Sequence, residues 1–227
     1  MRVVLLSSPG AEPALHWSFA LGERLHSAMV DAGHEVRWLA PVVAGAGVPA
    51  QTAAEVLRVG AAPLHRVGDA ILHDELEREL ANDLRARAAD LVLHVGLGAR
   101  GSANLLWLAD RMGSRALAVV RAAEVLCHRG DLVDHRGESC TAIDDAERCR
   151  RCCSKGLRRA GHADLATRLD LLVCCLQVSA AVFVETATEV SQLEQVGVPR
   201  RLLHVAAPDE VAAAVLTRLA PASLSDA

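Results

Sequence analysis

Residues 89–120, ADLVLHVGLGARGSANLLWLADRMGSRALAVV, set the architecture. Residues 90–95 form a near-continuous apolar run, the pattern of a strand buried on both faces of a parallel sheet. A glycine-rich turn follows, then a helical stretch over 102–112 and a second apolar run over 115–120. Strand, turn, helix and strand make one βαβ unit, and the same rhythm continues both ways. Toward the amino terminus, 2–7 reads as the first strand and about 14–32 as a helix stopped by Gly33. Residues 34–39 read as a strand closed by Pro41, and 55–59 as a short strand. A charged amphipathic helix covers about 69–89, with Leu72, Leu76, Leu80 and Leu84 on one face. Toward the carboxyl terminus come a helix at 157–177, a strand at 180–185, a helix at 188–196 and a strand at 202–206. The predicted fold is α/β, a doubly wound parallel Rossmann-like sheet over 1–207 with a carboxyl-terminal helix and tail at 208–227.

The 227 residues carry 24 Lys and Arg against 28 Asp and Glu, a net charge of −4, and are 52% hydrophobic. That balance opposes intrinsic disorder. Aromatics are only 2%, with no Tyr, which excludes a stacking platform for single-stranded nucleic acid; the acidic total opposes a generic polyanion binder. The opening MRVVLLSSPGAEP has too short an apolar run for a signal-peptide core or a membrane span, and no later stretch is long enough to span. The expectation is a soluble, cytoplasmic chain with no nucleic-acid partner and no transmembrane segment.

Residues 121–156 break the rhythm. They are polar and cysteine-rich and lack strand or helix periodicity, so they read as an insertion. Twelve residues separate Cys127 from Cys140, eight separate Cys140 from Cys149, and two separate Cys149 from Cys152. A C-x2-C pair puts two sulfurs on one turn, and two distal cysteines complete a tetrahedral thiolate set. Zn(II) suits four thiolates; an iron–sulfur cluster accepts the same ligands. Cys153 adjoins Cys152 and is a substitute for it. Reduced thiols in a loop, or a redox site, are the other readings of the cluster. Cys174 and Cys175 lie in LDLLVCCLQV, where core packing on a buried helix is expected.

Other constellations are weaker. GLGARG, with Gly96, Gly98 and Gly101, matches a dinucleotide fingerprint in form but follows a late strand; it reads as a tight turn that lets a helix pack close to the sheet. Arg148, Arg150, Arg151, Lys155, Arg158 and Arg159 form a run able to hold phosphate or to serve as a solvated helix start. His16, His94, His128 and His135 have no carboxylate at a general-base spacing and read as structural or surface residues. The loops at 7–12, 96–101 and 121–130 lie at strand carboxyl ends, where doubly wound sheets bind ligands. Gly10, Gly96, Arg121 and Arg129 are therefore the candidate substrate-binding residues, the two arginines toward an anionic ligand.

Four stretches in order resemble family-four glycosyltransferases: MRVVLLSSPG…ALGERLHSAMVDAGHEVRWLAP, ADLVLHVGLG, AVVRAAEVLCHRGDLVDHRGESC…CRRCC and VSAAVFVETATEVSQLEQVGVPRRLLHVAAP. The third is similar to the family segment in which a His-Asp-aromatic stretch precedes Cys-Pro-Arg-Gly, another Cys and a C-x2-C. The resemblance implies the two-domain GT-B type, in which the amino-terminal half binds the acceptor and the other half holds the nucleotide sugar. This chain matches the acceptor side, so the expected partners are a sugar acceptor or nucleotide sugar and a separate donor-domain subunit. The chain departs from the family at several positions. Arg121 and Ala122 stand where the family has His and Asp, and His128 replaces the Pro, while Arg129 and Gly130 are kept. Leu93 and Val95 stand where the family's fourth-strand His falls, and the first loop offers Gly10 in place of a glycine pair. These losses imply a chain inactive by itself, either an acceptor-binding half or a binding and regulatory module of a sugar-modifying complex.

Overall fold

The computed structural model describes residues 1–7, 17–43, 56–61, 74–97, 102–128, 130–140, 145–153 and 162–219. Their strands are β1 (Arg2–Ser7), β2 (Glu35–Val43), β3 (Val56–Ala61), β4 (Leu91–Val95), β5 (Arg115–Val119), β6 (Ala181–Val184) and β7 (Leu203–Val205). They form one sheet in the order β3-β2-β1-β4-β5-β6-β7, every pairing parallel. The expected doubly wound fold is the one observed. The helices are α1 (Trp17–Asp31), α2 (Asp74–Ala86), α3 (Asn104–Arg111), α4 (Ala122–Leu126), α5 (Ala146–Cys153), α6 (His162–Gln177), α7 (Ala187–Gln195) and α8 (Val211–Leu219). Among the described residues no helix is long and apolar enough to cross a membrane.

Side-chain alternation along the strands divides the core into two layers. Leu91, Leu93 and Val95 of β4 face Phe19, Leu21, Leu25 and Met29 of α1 and Val211 and Val215 of α8. Val92 faces the other way, toward α2, α3, α4, α6 and α7. Burial on both sides explains why LVLHV carries no polar alternation.

Three expectations need correction. β2 does not end at Pro41 but runs through it to Val43, with Pro41 in register with Val59. Among the described residues the registered pairing with β1 stops at Leu39. The segment read as an aperiodic insertion contains α4 and α5 and an isolated antiparallel bridge, Val133 to Ser139. Cys175 is buried as expected, but Cys174 is exposed on the outer side of α6.

Gly22 lets α1 approach the sheet. A Cβ there would stand 2.8 Å from Trp38 Cζ2, and Trp38 is fixed by donating from Nε1 to Ser7 Oγ at 2.8 Å. Alanine is intrinsically the better helix former by about 1 kcal/mol, but forcing a methyl into this contact costs about 1–3 kcal/mol. The net cost of about 1 kcal/mol is expected to lower the melting temperature of Gly22→Ala by about 2–4 °C. A rise in a thermal melt would mean that Trp38 yields.

Candidate functional site

β1 is the turning point of the sheet, because the chain builds outward from it to β2 and β3 and then crosses to β4. The strand carboxyl ends beside this reversal are where an open α/β sheet leaves a crevice. On the β5–β7 side, a cleft of about 260 Å³ opens between the strand ends and α1. Val119, Val120, Val184 and Ala206 form its floor, and Trp17, Arg24, Arg121 and Glu185 supply its polar and aromatic rim.

The rim is tied to a buried carboxylate. Glu124, 5% exposed, accepts from Trp17 Nε1 at 3.0 Å and from the Leu97 backbone N–H at 3.2 Å. The Arg121 backbone N–H donates to the same carboxylate at 3.5 Å. Burial pushes the Glu124 carboxyl above its usual range, and the bonds from Trp17, Leu97 and Arg121 pull partly the other way. The Arg121 guanidinium lies 4.7 Å from the centre of the Trp17 ring, a cation–π contact. Glu124 thus joins the turn after β4, the start of α1 and the turn after β5.

Five residues are too few for a helix to persist alone, so α4 must be held at both ends. At its start, Glu189 of α7 accepts from the Ala122 N–H at 3.0 Å, its other oxygen taking the Glu185 and Thr186 N–H groups. At its end, the buried Arg168 of α6 donates to the Val125 and Glu124 carbonyls at 2.9 and 2.7 Å. A guanidinium is suited to span two such carbonyls.

Of the four expected substrate-binding residues, Arg121 lines the cleft and Gly96 lies behind it. Gly96 has φ +78°, and a Cβ there would meet Ser18 Cβ at 2.8 Å and Glu124 Oε1 at 3.6 Å. Such a backbone and such close neighbours are those of a tight turn. Gly10 and Arg129 lie outside the described residues. His94, read as structural, is buried on β4, and desolvation lowers its pKa to about 4. The backbone of Ser102 and Gly96 opposes that shift without completing a well-formed hydrogen bond to the ring.

The four cysteines expected to bind metal do converge. Cys127 ends α4, Cys140 follows the Val133–Ser139 bridge, and Cys149 and Cys152 lie one turn apart on α5; all four line one cavity with His128, Asp134, His135 and Arg148. Burial and the neighbouring Cys140, Cys127 and Cys152 push the Cys149 thiol up to about 11. Among the described residues no group of three or more His, Cys, Asp or Glu stands as a ready-made metal site. The basic run is partly spent locally: Arg150 forms a two-bond pair with Glu147 at 3.0 and 2.7 Å, and Arg148 lies 4.0 Å from Asp134. Lys155, Arg158 and Arg159 lie outside the described residues.

Sequence reasoning missed Trp17 and Arg168 and passed over Glu124. A tryptophan opening a helix, in a chain with only three, was the available signal.

No family model matches the chain, and no curated protein matches its sequence. Among solved structures it is similar to the UDP-GlcNAc 2-epimerase from Methanocaldococcus jannaschii, at 11% identity and a TM-score of 0.47, over 90% of this chain and 45% of that one. It is also similar to Phytolacca americana UGT2 complexed with UDP-2fluoro-glucose and pterostilbene, at 12% identity and a TM-score of 0.49, over 91% and 52%. The glycosyltransferase VinC in complex with dTDP gives 14% identity and a TM-score of 0.40, over 82% and 49%. The chain spans about half the length of these structures. At these values the likeness concerns the path of the backbone, not the chemistry of the site.

Proposed function

We propose that this chain is the acceptor-side half of a glycosyl-transfer system, binding a sugar-bearing anionic ligand in the β5–β7 cleft and relying on a separate donor-domain subunit for transfer. The observation that carries the proposal is the cleft rim. An indole and two guanidinium groups, Arg24 and Arg121, surround an apolar floor at the strand carboxyl ends. Indole and guanidinium together suit a sugar ring that carries a phosphate or carboxylate. The ordered resemblance of the four sequence stretches to family-four glycosyltransferases supports the same reading.

The rim also supports inactivity of the chain alone. Arg121 occupies the place of the family's histidine, and a guanidinium does not exchange a proton near neutral pH. Of the described residues lining the cleft, Glu185 alone carries a carboxylate.

Calorimetric titration with sugar phosphates and with UDP-, GDP- and dTDP-sugars tests this. Sugar phosphates should bind at one site, and the isolated chain should transfer nothing. Arg121→Ala should weaken that binding about tenfold or more, the worth of one charge-assisted hydrogen bond. Transfer by the isolated chain, or unchanged affinity in both Arg24→Ala and Arg121→Ala, would overturn the proposal.

A further inference from the structure

We infer that Cys127, Cys140, Cys149 and Cys152 are the four thiolate ligands of one zinc ion, which fastens the segment 127–153 to the sheet. The four come from three separate pieces of chain, yet line a single cavity. Its volume is about 20 Å³, room for roughly one water-sized sphere. That is room for a single ion. With Zn–S bonds of about 2.3 Å, tetrahedral geometry places the sulfurs about 3.8 Å apart. Cys149 and Cys152, three residues apart on α5, have Cβ atoms at the usual spacing of about 5–6 Å, from which their sulfurs reach one ion.

Among the described residues of this segment, Leu132 packs against the core and α5 against α6. Between Leu126 and Leu172 no described hydrophobic side chain is fully buried, and Leu132 and Leu169 pack only partly against the core. The segment's turns are nonetheless sharply defined. Gly130 and Gly137 have φ of +78° and +87°, and Leu132 takes φ +52°, a left-handed conformation rare for a residue with a side chain. The Leu132 carbonyl accepts from the Cys140 N–H at 2.7 Å, which closes the loop that brings Cys140 back toward Cys127. A polar loop this tightly turned and this poor in core contacts is what a metal staple supports. Binding converts four thiols to thiolates and releases their four protons, leaving a net double negative charge on the site. The Arg148 guanidinium, which lines the cavity, offsets part of it.

The full chain, purified under reducing conditions with zinc supplied, should carry about one zinc per chain by elemental analysis. Cys→Ser at any of the four positions should lower zinc affinity by about 100-fold or more, while Cys174→Ser and Cys175→Ser should not change it. Because a ligand variant can fail to fold, the unaltered chain supplies a second readout. Exchange of zinc for cobalt(II) should give the strong visible bands of a tetrahedral site together with thiolate-to-cobalt charge transfer. Reduced, folded protein that takes up no zinc would overturn the inference. So would a weak octahedral cobalt spectrum, iron with acid-labile sulfide, or zinc loss in Cys153→Ser with retention in Cys152→Ser.

Discussion

Replacing Arg168 with methionine should destabilise the protein by about 3 kcal/mol. The methionine keeps most of the side-chain stem but removes both donors that close the carboxyl end of α4. Hydrogen bonds from a charged donor are worth about 1.5–3 kcal/mol each, and the Val125 and Glu124 carbonyls would be left buried without them. Relief from burying a guanidinium offsets part of the loss. Arg168→Lys should recover less than half, because one ammonium cannot span two carbonyls as a planar fork does. Urea unfolding followed by tryptophan fluorescence reads this directly. For a chain of this size the midpoint should fall by about 1 M. Both variants within about 0.5 kcal/mol of the unaltered protein would mean that α4 is held by packing.

Glu124→Ala should cost about 2–4 kcal/mol, since the Trp17 indole N–H and the Leu97 N–H each lose a buried acceptor. Its pH dependence carries a second signature. The folded protein holds the Glu124 proton above the group's ordinary value of 4.5, chiefly through burial. Native protein therefore binds more protons than the unfolded chain once pH rises past about 4.5. This group's contribution is fully present at lower pH and is lost as pH climbs through the raised folded value. His94 and His128 act in the opposite sense, because burial lowers both to about 4 and the unfolded chain then binds more protons from there up to their ordinary 6.5. The comparison must be with Glu124→Gln, which leaves both histidines in place. Stability of the unaltered protein minus that of Glu124→Gln should decline with pH above 4.5. A flat difference would show that the carboxylate is ionised at no net cost in the fold.

The sheet was legible because strands buried on both faces have to be written as apolar runs, and LVLHV and RALAV are such runs. The cysteine cluster was legible as a spacing, and the fold does bring its four members to one cavity. α5 was not recognised, because AERCRRCC carries no apolar stripe. Its start depends instead on Asp145, whose side chain accepts from the Arg148 N–H at 2.9 Å, and its length on Glu147 pairing with Arg150 and Arg151. Asp145 was a readable capping signal. The rim of the cleft was not readable in the same way. Trp17 and Glu124 meet across 107 residues and Arg168 meets Glu124 across 44. Local pattern encodes which face a residue takes on its own element, and says nothing about which distant element will supply its partner.

The strand order also governs how the chain is made. β1 emerges first, yet its place is between β2 and β4, and the Arg2 N–H is bound by Asp90, 88 residues later. At about 5–20 residues per second, a ribosome takes roughly 4–18 s to cover that distance. For that interval RVVLLS has one side paired at most, and an apolar edge faces whatever surrounds the nascent chain. Slower translation of residues 35–95 would lengthen this window. Chaperone capture and misassembly during synthesis should concentrate there, before the second neighbour of β1 exists.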